Sequence, residues 1–190
     1  MTAFATRALS PATWDDFARL VERHNGVWGG CWCMGFHPDG FGESVEENKT
    51  NKLARVRADE AHAALVYDGS DCVGWCQFGP TAELTRIKRQ RAYKQLPVEP
   101  PDWRITCFFV DKGHRGQGVA SAALGGALRE IARLGGGLVE SYPENVEGRK
   151  TAGAFLHNAT VSMFERHGFA RVRPLGKHHW LMTMTVPAVS

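Results

Sequence analysis

The stretch Val110-Asp-Lys-Gly-His-Arg-Gly-Gln-Gly-Val-Ala-Ser121 carries the strongest indication of fold in this chain. It follows an apolar run typical of a strand, Ile105 to Val110, and it opens a long helical pattern, Val119 to Leu134. A glycine-rich turn between a strand and a helix leaves backbone N–H groups without partners, beside the positive end of the helix dipole. Glycine also lets a bulky anion approach the backbone closely. The turn therefore predicts a phosphate or pyrophosphate site.

Length and composition predict one globular domain over residues 1–190. The chain is long enough to bury a proper core, and 43% hydrophobic and 23% charged residues are ordinary values for a globular protein. A net charge of +3 does not by itself indicate nucleic acid as a partner. No apolar run approaches the roughly 20 residues that span a bilayer, and the N-terminus lacks the apolar region of a signal peptide. We therefore expect a cytoplasmic protein without a membrane partner.

The cysteine pattern predicts reduced thiols and no metal. Five cysteines stand at positions 31, 33, 72, 76 and 107, an odd number that does not suit a secreted disulfide framework. Cys31 and Cys33 are too close in sequence for an ordinary bridge with each other. A zinc site would join them to His37, but that spacing matches no common zinc motif.

The first half of the chain predicts a strand, two helices, a hairpin and a third, basic helix. Ser10 is expected to cap the first helix, with Pro11 at its first helical position. Asp68-Gly-Ser-Asp71 predicts a hairpin turn. The predicted ranges are strand 3–9, a helix ending near residues 25–26, a structured loop over 27–42, helix 44–58, strands 63–67 and 72–78, helix 81–95, and a crossover containing Pro97, Pro100 and Pro101.

The second half alternates strands and helices. Gly125 and Gly126 lie inside the long helical pattern, and each costs about 1 kcal/mol relative to alanine, which indicates close packing on the sheet. Gly168 is expected to cap a short helix. The predicted ranges are strand 104–110, helix 119–134, strand 138–142, polar loop 143–153, helix 160–167, and strands 169–174 and 179–186. This order predicts an α/β class with a mixed sheet and helices on both faces.

Three segments of this half resemble the GCN5-related N-acetyltransferases. Arg115-x-x-Gly118-x-Ala120 is similar to the coenzyme A loop of that family, and Cys107-Phe-Phe-Val110 to its central strand. Phe164-Glu-Arg-His-Gly-Phe169 is similar to its tyrosine-x-x-x-Gly-Phe segment. The resemblance implies a single-domain mixed α/β fold of about seven strands, with splayed central strands that hold acyl-CoA. Residues 1–100 would then form the acceptor side and residues 104–184 the CoA-binding core.

The resemblance also implies acetyl-CoA as the acyl donor, with direct transfer to an amine in a ternary complex. Backbone N–H groups of the turn would hold the pyrophosphate, and one near Phe109 or Val110 would stabilise the oxyanion. The pantetheine arm would lie between strands 105–110 and 138–142. The cofactor-binding residues implied are Phe108, Phe109, Val110, His114, Arg115, Gly116, Gln117, Gly118, Val119, Ala120, Ser121, His157, Asn158 and Phe164.

The sequence departs from the family where proton transfer is expected. Phe164 stands where many relatives carry a tyrosine proposed as general acid, and a phenyl ring cannot donate a proton. The catalytic candidates are therefore Glu140, His157 and Tyr142, with Ser162 or water as alternative proton donors. Glu140 lies at the end of a strand where ligand sites gather, and burial would raise its pKa into a useful range. Glu144 is a weaker candidate at the same strand end.

The acceptor is the least determined part of the prediction. The substrate-binding candidates Trp28, Trp32, Cys33, Met34 and Phe36 would give an apolar, aromatic wall, although core packing of the loop explains them equally well. Residues 86–94 form a basic run that could bind the 3′-phosphate of CoA, an acidic acceptor or RNA. It could also be a solvated helix face. Only Tyr93 among these residues offers a ring for base stacking, which disfavours nucleic acid.

Three functions follow from these observations. The leading one is an acetyl-CoA-dependent N-acetyltransferase that acts on a small-molecule amine. The loss of the tyrosine at Phe164 supports a non-catalytic acyl-CoA-binding or regulatory module instead. The basic run supports an acyltransferase for a protein or tRNA. The identity of the acceptor, the length of the acyl group and a homodimeric state are left open.

Overall fold

The computed structural model describes residues 4–95, 99–148 and 157–189, which build one seven-stranded mixed sheet. The strand order is β1-β2-β3-β4-β5-β7-β6, and β4 and β5 form a parallel pair whereas the other neighbours are antiparallel. The strands are β1 Ala5–Ala8, β2 His62–Asp68, β3 Asp71–Pro80, β4 Trp103–Val110, β5 Gly137–Ser141, β6 Ala170–Leu175 and β7 His179–Val186. The mixed α/β fold and the order of elements that the sequence predicts are confirmed.

Helices cover both faces of the sheet. Their bounds are α1 Trp14–Arg23, α2 Val45–Arg57, α3 Gln90–Tyr93, α4 Val119–Arg133 and α5 Val161–Arg166, with 3-10 turns at Met34–Phe36 and Lys112–His114. No helix in the described part of the chain has the length and apolar character needed to cross a bilayer.

A hydrophobic core fills each side of the sheet. Helices α4 and α5 pack on one face, where Ala123 and Ala127 are fully buried against the strands. Gly126 makes this close approach possible, because a Cβ there would lie 3.0 Å from Thr6 and 3.1 Å from Ala64. A Cβ on Gly125 would make only ordinary van der Waals contacts, 3.5 Å from Arg129 and 3.7 Å from His167, so the close packing predicted for both glycines holds for Gly126 alone.

Aromatic side chains dominate the other core, beneath α1 and α2. The rings of Trp14 and Trp32 stack at 5.8 Å between centroids, and Phe17 meets Trp75 edge-on at 4.9 Å. Helix α2 begins as predicted, because the Ser44 hydroxyl accepts a hydrogen bond from the Glu47 N–H at its first turn.

The start of α1 differs from the prediction. The helix begins at Trp14, and residues 11–13 form turns before it. Thr13 holds this turn closed, since its hydroxyl donates to the Ala8 carbonyl at 2.8 Å and accepts from the Ser10 N–H at 2.9 Å. Ser10 is therefore not the N-cap, and Pro11 is not the first helical residue.

The basic helix predicted for residues 81–95 is also wrong, since only Gln90–Tyr93 is helical. We call residues 81–95 the strap, because they lie across the sheet and are tied to it at several points. The Arg104 guanidinium donates to the Leu84 carbonyl at 2.9 Å, and the Arg86 N–H donates to the Phe36 carbonyl at 3.1 Å. Leu84 and Ile87 are buried at a three-residue spacing that imitates one face of a helix. Long-range hydrogen bonds therefore override the local pattern.

Strands β4 and β5 separate after three paired positions. Their ladder joins Trp103, Arg104 and Ile105 to Val139, Glu140 and Ser141 and goes no further. Beyond that point residues 157–158 lie beside β4, where the Phe108 N–H donates to the His157 carbonyl at 2.6 Å and the Asn158 amide donates to the Thr106 carbonyl at 2.7 Å. The separation leaves an opening next to the carboxyl end of β4.

Candidate active site

A cavity of about 520 Å³ lies at this opening, between the end of β4, the start of α4 and residues 157–166. Its described lining is Trp28, Phe108, Phe109, Val110, His114, Arg115, Gly116, Gly118, Val119, Ala120, Ser121, His157, Ala159, Thr160, Met163 and Arg166. Most of the residues predicted to bind the cofactor therefore meet around one space.

The glycine-rich turn forms one end of this cavity. Gly116 and Gly118 have φ values of +75° and +90°, and a Cβ at either position would meet nothing within 4 Å. Glycine is therefore favoured there by backbone conformation rather than by space. Gly118 is the N-cap of α4 and brings no capping side chain, so the first N–H groups of that helix remain donors for an anion. Gln117 points away, since its amide donates to the Gly113 carbonyl at 2.9 Å.

The direction of the backbone N–H groups along β4 identifies one hydrogen-bond donor that faces the cavity. The Asp111 N–H donates to the Val73 carbonyl on β3 at 2.8 Å. Because N–H groups alternate along a strand, the Phe109 N–H also faces β3, whereas those of Phe108 and Val110 face the opposite side. Phe108 uses its N–H for the His157 carbonyl. Val110 therefore presents its N–H at the wall of the cavity.

Two predicted cofactor contacts lie behind the lining rather than in it. Phe164 is fully buried, and its ring meets Phe108 at 5.9 Å and Phe169 at 4.8 Å in edge-to-face contacts. Asn158 is 1% exposed, and its Oδ1 has no hydrogen-bond partner within the described part of the chain, although its amide nitrogen is bound. A buried acceptor without a partner is unusual and suits a site that a ligand or water completes.

Glu140 and Tyr142 lie in a buried polar cluster away from the cavity lining. The Tyr142 hydroxyl donates to one oxygen of Glu140, and the Tyr93 hydroxyl donates to the other at 3.2 Å. The guanidinium of Arg104 lies 3.9 Å from the same carboxylate. Burial raises the pKa of Glu140 in spite of these partners. The cluster fastens the strap, through Tyr93, to β4 and β5.

His157 lies in the lining, among rings from the loop between α1 and α2. Its centroid is 5.9 Å from that of Trp28 and 6.5 Å from that of Phe36. Trp28 is 51% exposed, while Trp32, Cys33 and Met34 are buried in the core beneath α1. Of the five residues predicted to bind the acceptor, the structure thus places Trp28 in the cavity wall and Phe36 behind His157.

The backbone of this loop is strained at several positions. Val27, Trp28, Trp32 and Cys33 have φ values between +34° and +57°, in the left-handed region that favours glycine. Such outliers persist where surrounding structure holds them and gather at ligand sites. Asn48 supplies part of that support, because its side chain donates to the Gly30 carbonyl and accepts from the Gly42 N–H.

A second support is a buried amine that the sequence reading missed. Lys52 is 1% exposed, and its Nζ donates to His37 Nε2 at 3.1 Å and to Gln77 Oε1 at 2.8 Å. Burial lowers the pKa of Lys52 to about 8 and that of His37 to about 2. Sequence alone offers no signal for Lys52, because lysine on a polar helix normally faces solvent.

The cysteines are free thiols in the described structure. All five are buried, and the Cys33 thiol lies 3.4 Å from that of Cys107. His37 is occupied by Lys52 and by the Glu83 carbonyl. Within the described ranges no group of three or more His, Cys, Asp or Glu side chains is arranged to hold a metal ion.

Sequence reasoning also missed one wall of the cavity. Thr160, Met163 and Arg166 stand at successive three-residue spacings on α5 and face the turn before α4. That spacing was the available signal, since it puts all three on one helix face. Behind this wall the Ser121 hydroxyl meets His167 Nε2 at 2.8 Å, which ties α4 to the end of α5.

Comparison with known proteins agrees with this geometry. A family model described as the acetyltransferase (GNAT) family matches residues 31–169. The search of curated proteins found no match. A putative GNAT-family acetyltransferase from Desulfovibrio desulfuricans is 18% identical, with a TM-score of 0.54 and coverage of 97% of this chain and 99% of that one.

Two further solved structures share the fold at lower identity. The ribosomal-protein-S18-alanine N-acetyltransferase of Escherichia coli is 10% identical, with a TM-score of 0.51 over 99% of this chain and 97% of that one. Arabidopsis thaliana NAA60, solved in complex with acetyl-CoA, is 12% identical, with a TM-score of 0.50 over 97% and 99%.

Proposed function

Since the chain belongs to the GNAT acetyltransferase family, we propose that it transfers the acetyl group of acetyl-CoA directly to an amine of a small molecule. The observation that carries this proposal is one continuous cavity. It joins the donor N–H groups at the start of α4 to the Val110 N–H at the end of β4. An anion site and an oxyanion donor are the two backbone features that the reaction needs.

The lining residues fit the cofactor by their chemistry. The N–H groups after Gly118, together with Arg115 and Arg166, would hold phosphate groups, and the apolar side chains of Val119 and Met163 would contact the pantetheine arm. When bound, acetyl-CoA supplies a thioester that an amine can attack and a thiol that leaves. The unpartnered Oδ1 of Asn158 would accept from an amide N–H of that arm or from a water.

The chain's own residues would assist the transfer in two ways. The Val110 N–H would stabilise negative charge on the thioester oxygen, in a site that strand β4 holds rigid. His157, in the lining, has an intrinsic pKa suited to moving a proton at the acceptor end. Glu140 and Tyr142 would serve instead as positioning residues, because they bind each other and hold the strap.

The acceptor end of the cavity supports a small acceptor. The half-exposed indole of Trp28 stands in its wall, which offers an apolar surface that a small molecule could contact. The basic side chains of the strap are the observation that supports a protein or tRNA acceptor. Arg86 is directed at Gly40, where its guanidinium would collide with an added Cβ, so this charge is packed against the loop.

Release of free CoA thiol over a panel of amines tests the proposal. We expect the amount of free CoA thiol to equal the amount of acetylated amine. Isothermal titration calorimetry measures the affinity for acetyl-CoA independently. Ser121→Ala removes a hydroxyl from the cavity lining. Ser70→Ala is the matched control, because it removes the same group from a distant hairpin turn. Binding of acetyl-CoA without thiol release with any amine of the panel would favour the non-catalytic acyl-CoA-binding module.

A further inference from the structure

Aromatic rings surround the acceptor end of the cavity. Trp28, Phe109 and His157 line it, and Phe36 packs behind His157. The Phe109 ring is itself held in place, since it stacks on Trp75 at 4.8 Å between centroids. These rings stand next to the Val110 N–H, where the acceptor nitrogen has to arrive.

Among the described residues, no carboxylate belongs to the lining. Its ionisable members among the described residues are His114, Arg115, His157 and Arg166. The segments outside the described ranges, 1–3, 96–98, 149–156 and residue 190, contain no Asp or Glu in their sequence. An alkyl ammonium ion would therefore lack a counter-charge in this site, and transfer from water without one is costly.

Carboxylates on the flanking elements are engaged elsewhere. Asp111 accepts from Arg23 at 3.3 Å, from His24 at 3.2 Å and from the Gly113 N–H at 2.9 Å. Glu140 accepts from two tyrosine hydroxyls. Glu144 is 5% exposed, so its side chain is buried within the fold. None of the three belongs to the lining.

We infer that the acceptor is an aromatic amine of low basicity, such as an arylamine, which is neutral at physiological pH. This inference rests on the proposed function and names the substrate class of the same site. A neutral amine has its lone pair available, so it needs no base before it attacks. The N–C bond forms as the C–S bond of the thioester breaks, and the proton that nitrogen gives up balances the thiolate, which leaves as the CoA thiol.

Trp28 is the residue that selects this class. Its indole is half exposed in the cavity wall, on a loop whose backbone is strained, with φ of +57° at Val27 and +34° at Trp28. An aromatic acceptor would pack against this ring in a stacked or edge-to-face contact. The same apolar wall disfavours acceptors that carry a carboxylate or several polar groups.

Aniline and benzylamine make a matched pair of probes, because only benzylamine is protonated at neutral pH. We expect kcat/KM for aniline to exceed that for benzylamine by at least tenfold at neutral pH. We also expect it to stay flat from about pH 6 to about pH 9, because aniline stays neutral over that range. Titration calorimetry on the protein saturated with CoA gives a readout without turnover, and aniline should bind more tightly there than benzylamine.

The variant Trp28→Ala should weaken aniline binding by about five- to tenfold, the size of one lost aromatic contact. Phe41→Ala is the control, since Phe41 is 65% exposed on the same loop and is not part of the lining. It should leave aniline binding unchanged.

Three results would overturn the inference while leaving the proposed function intact. One is a higher kcat/KM for benzylamine than for aniline, with a value for benzylamine that rises with pH. This result would mean that the rings hold an ammonium ion, since aromatic rings also attract cations. The second is equal loss of aniline binding in both variants, and the third is thiol release with other amines but not with aniline. If acetyl-CoA binds but no amine of the panel releases thiol, the proposed function fails and the inference fails with it.

Discussion

Replacing Gly118 by alanine tests whether the backbone conformation of the turn creates the anion site. Gly118 has a φ of +90°, and a Cβ there would meet nothing within 4 Å, so the cost is conformational and not steric. An L residue held in the left-handed region costs about 1–2 kcal/mol, and for a chain of this size 1 kcal/mol lowers Tm by roughly 2–4 °C. We expect a Tm lower by roughly 2–8 °C.

Cofactor affinity should respond more strongly than stability does. If the turn relaxes toward negative φ to relieve the strain, the first N–H groups of α4 turn away from the anion site, and acetyl-CoA should bind at least tenfold more weakly. Thermal unfolding with and without acetyl-CoA measures both effects, because a ligand at 100 times its Kd stabilises the native state by about 2.7 kcal/mol.

Two other glycines provide controls for this variant. Gly69→Ala puts the same strain, at a φ of +60° in open space, into the β2–β3 hairpin turn, and should lower Tm without changing cofactor affinity. Gly113 has no positive φ and only one ordinary neighbour for a Cβ, so Gly113→Ala should change neither quantity. Equal losses of affinity in Gly118→Ala and Gly69→Ala would refute the reasoning.

Three further predictions concern buried groups. Phe164→Tyr should lower the free energy of unfolding by about 1–3 kcal/mol without raising kcat, because the added hydroxyl would enter an apolar core; a gain in kcat would contradict this. The pKa of Lys52, about 8 in the folded chain against 10.5 in the unfolded one, means that the unfolded state binds more protons between those values. Stability should therefore rise by about 3 kcal/mol over that pH range in urea titrations, and the difference between wild type and Lys52→Met should reveal this slope. Glu140 has a raised pKa, so its stabilising contribution is complete below the unfolded value of 4.5 and is lost as pH rises through the folded value; Glu140→Gln should remove that part of the pH dependence.

Local signals in the sequence were enough to predict the turn before α4 and the end of α5. The glycine-rich turn before α4 acts within a few residues. The helix predicted over 160–167 begins at Val161, because the Thr160 hydroxyl accepts from the Met163 N–H as the N-cap. Gly168, with a φ of +91°, ends α5 where the sequence predicts. Such features can be predicted because the residues that interact are close together in the sequence.

Long-range contacts decide the conformation of the strap and the burial of Lys52, and the predictions fail at these two places for that reason. The strap has the composition and spacing of a basic helix, yet Leu84 and Arg86 are fastened by Arg104 and Phe36, which lie far away in sequence. Lys52 is buried only because His37 and Gln77 arrive from two other elements. No local pattern contains these partners.

The two ends of the cavity should also differ in their sensitivity to side-chain substitutions. The anion site uses backbone N–H groups, so most side-chain substitutions around it leave its chemistry intact. The proposed acceptor end would depend on Trp28, which lies on the loop between α1 and α2, and the buried Lys52–His37 contact supports that loop. Loss of that contact would free the strained loop to relax and would move the indole out of the cavity wall. Lys52→Met should therefore impair acceptor binding while acetyl-CoA affinity stays constant, and a parallel loss of both affinities would show that the two ends of the cavity are not independent.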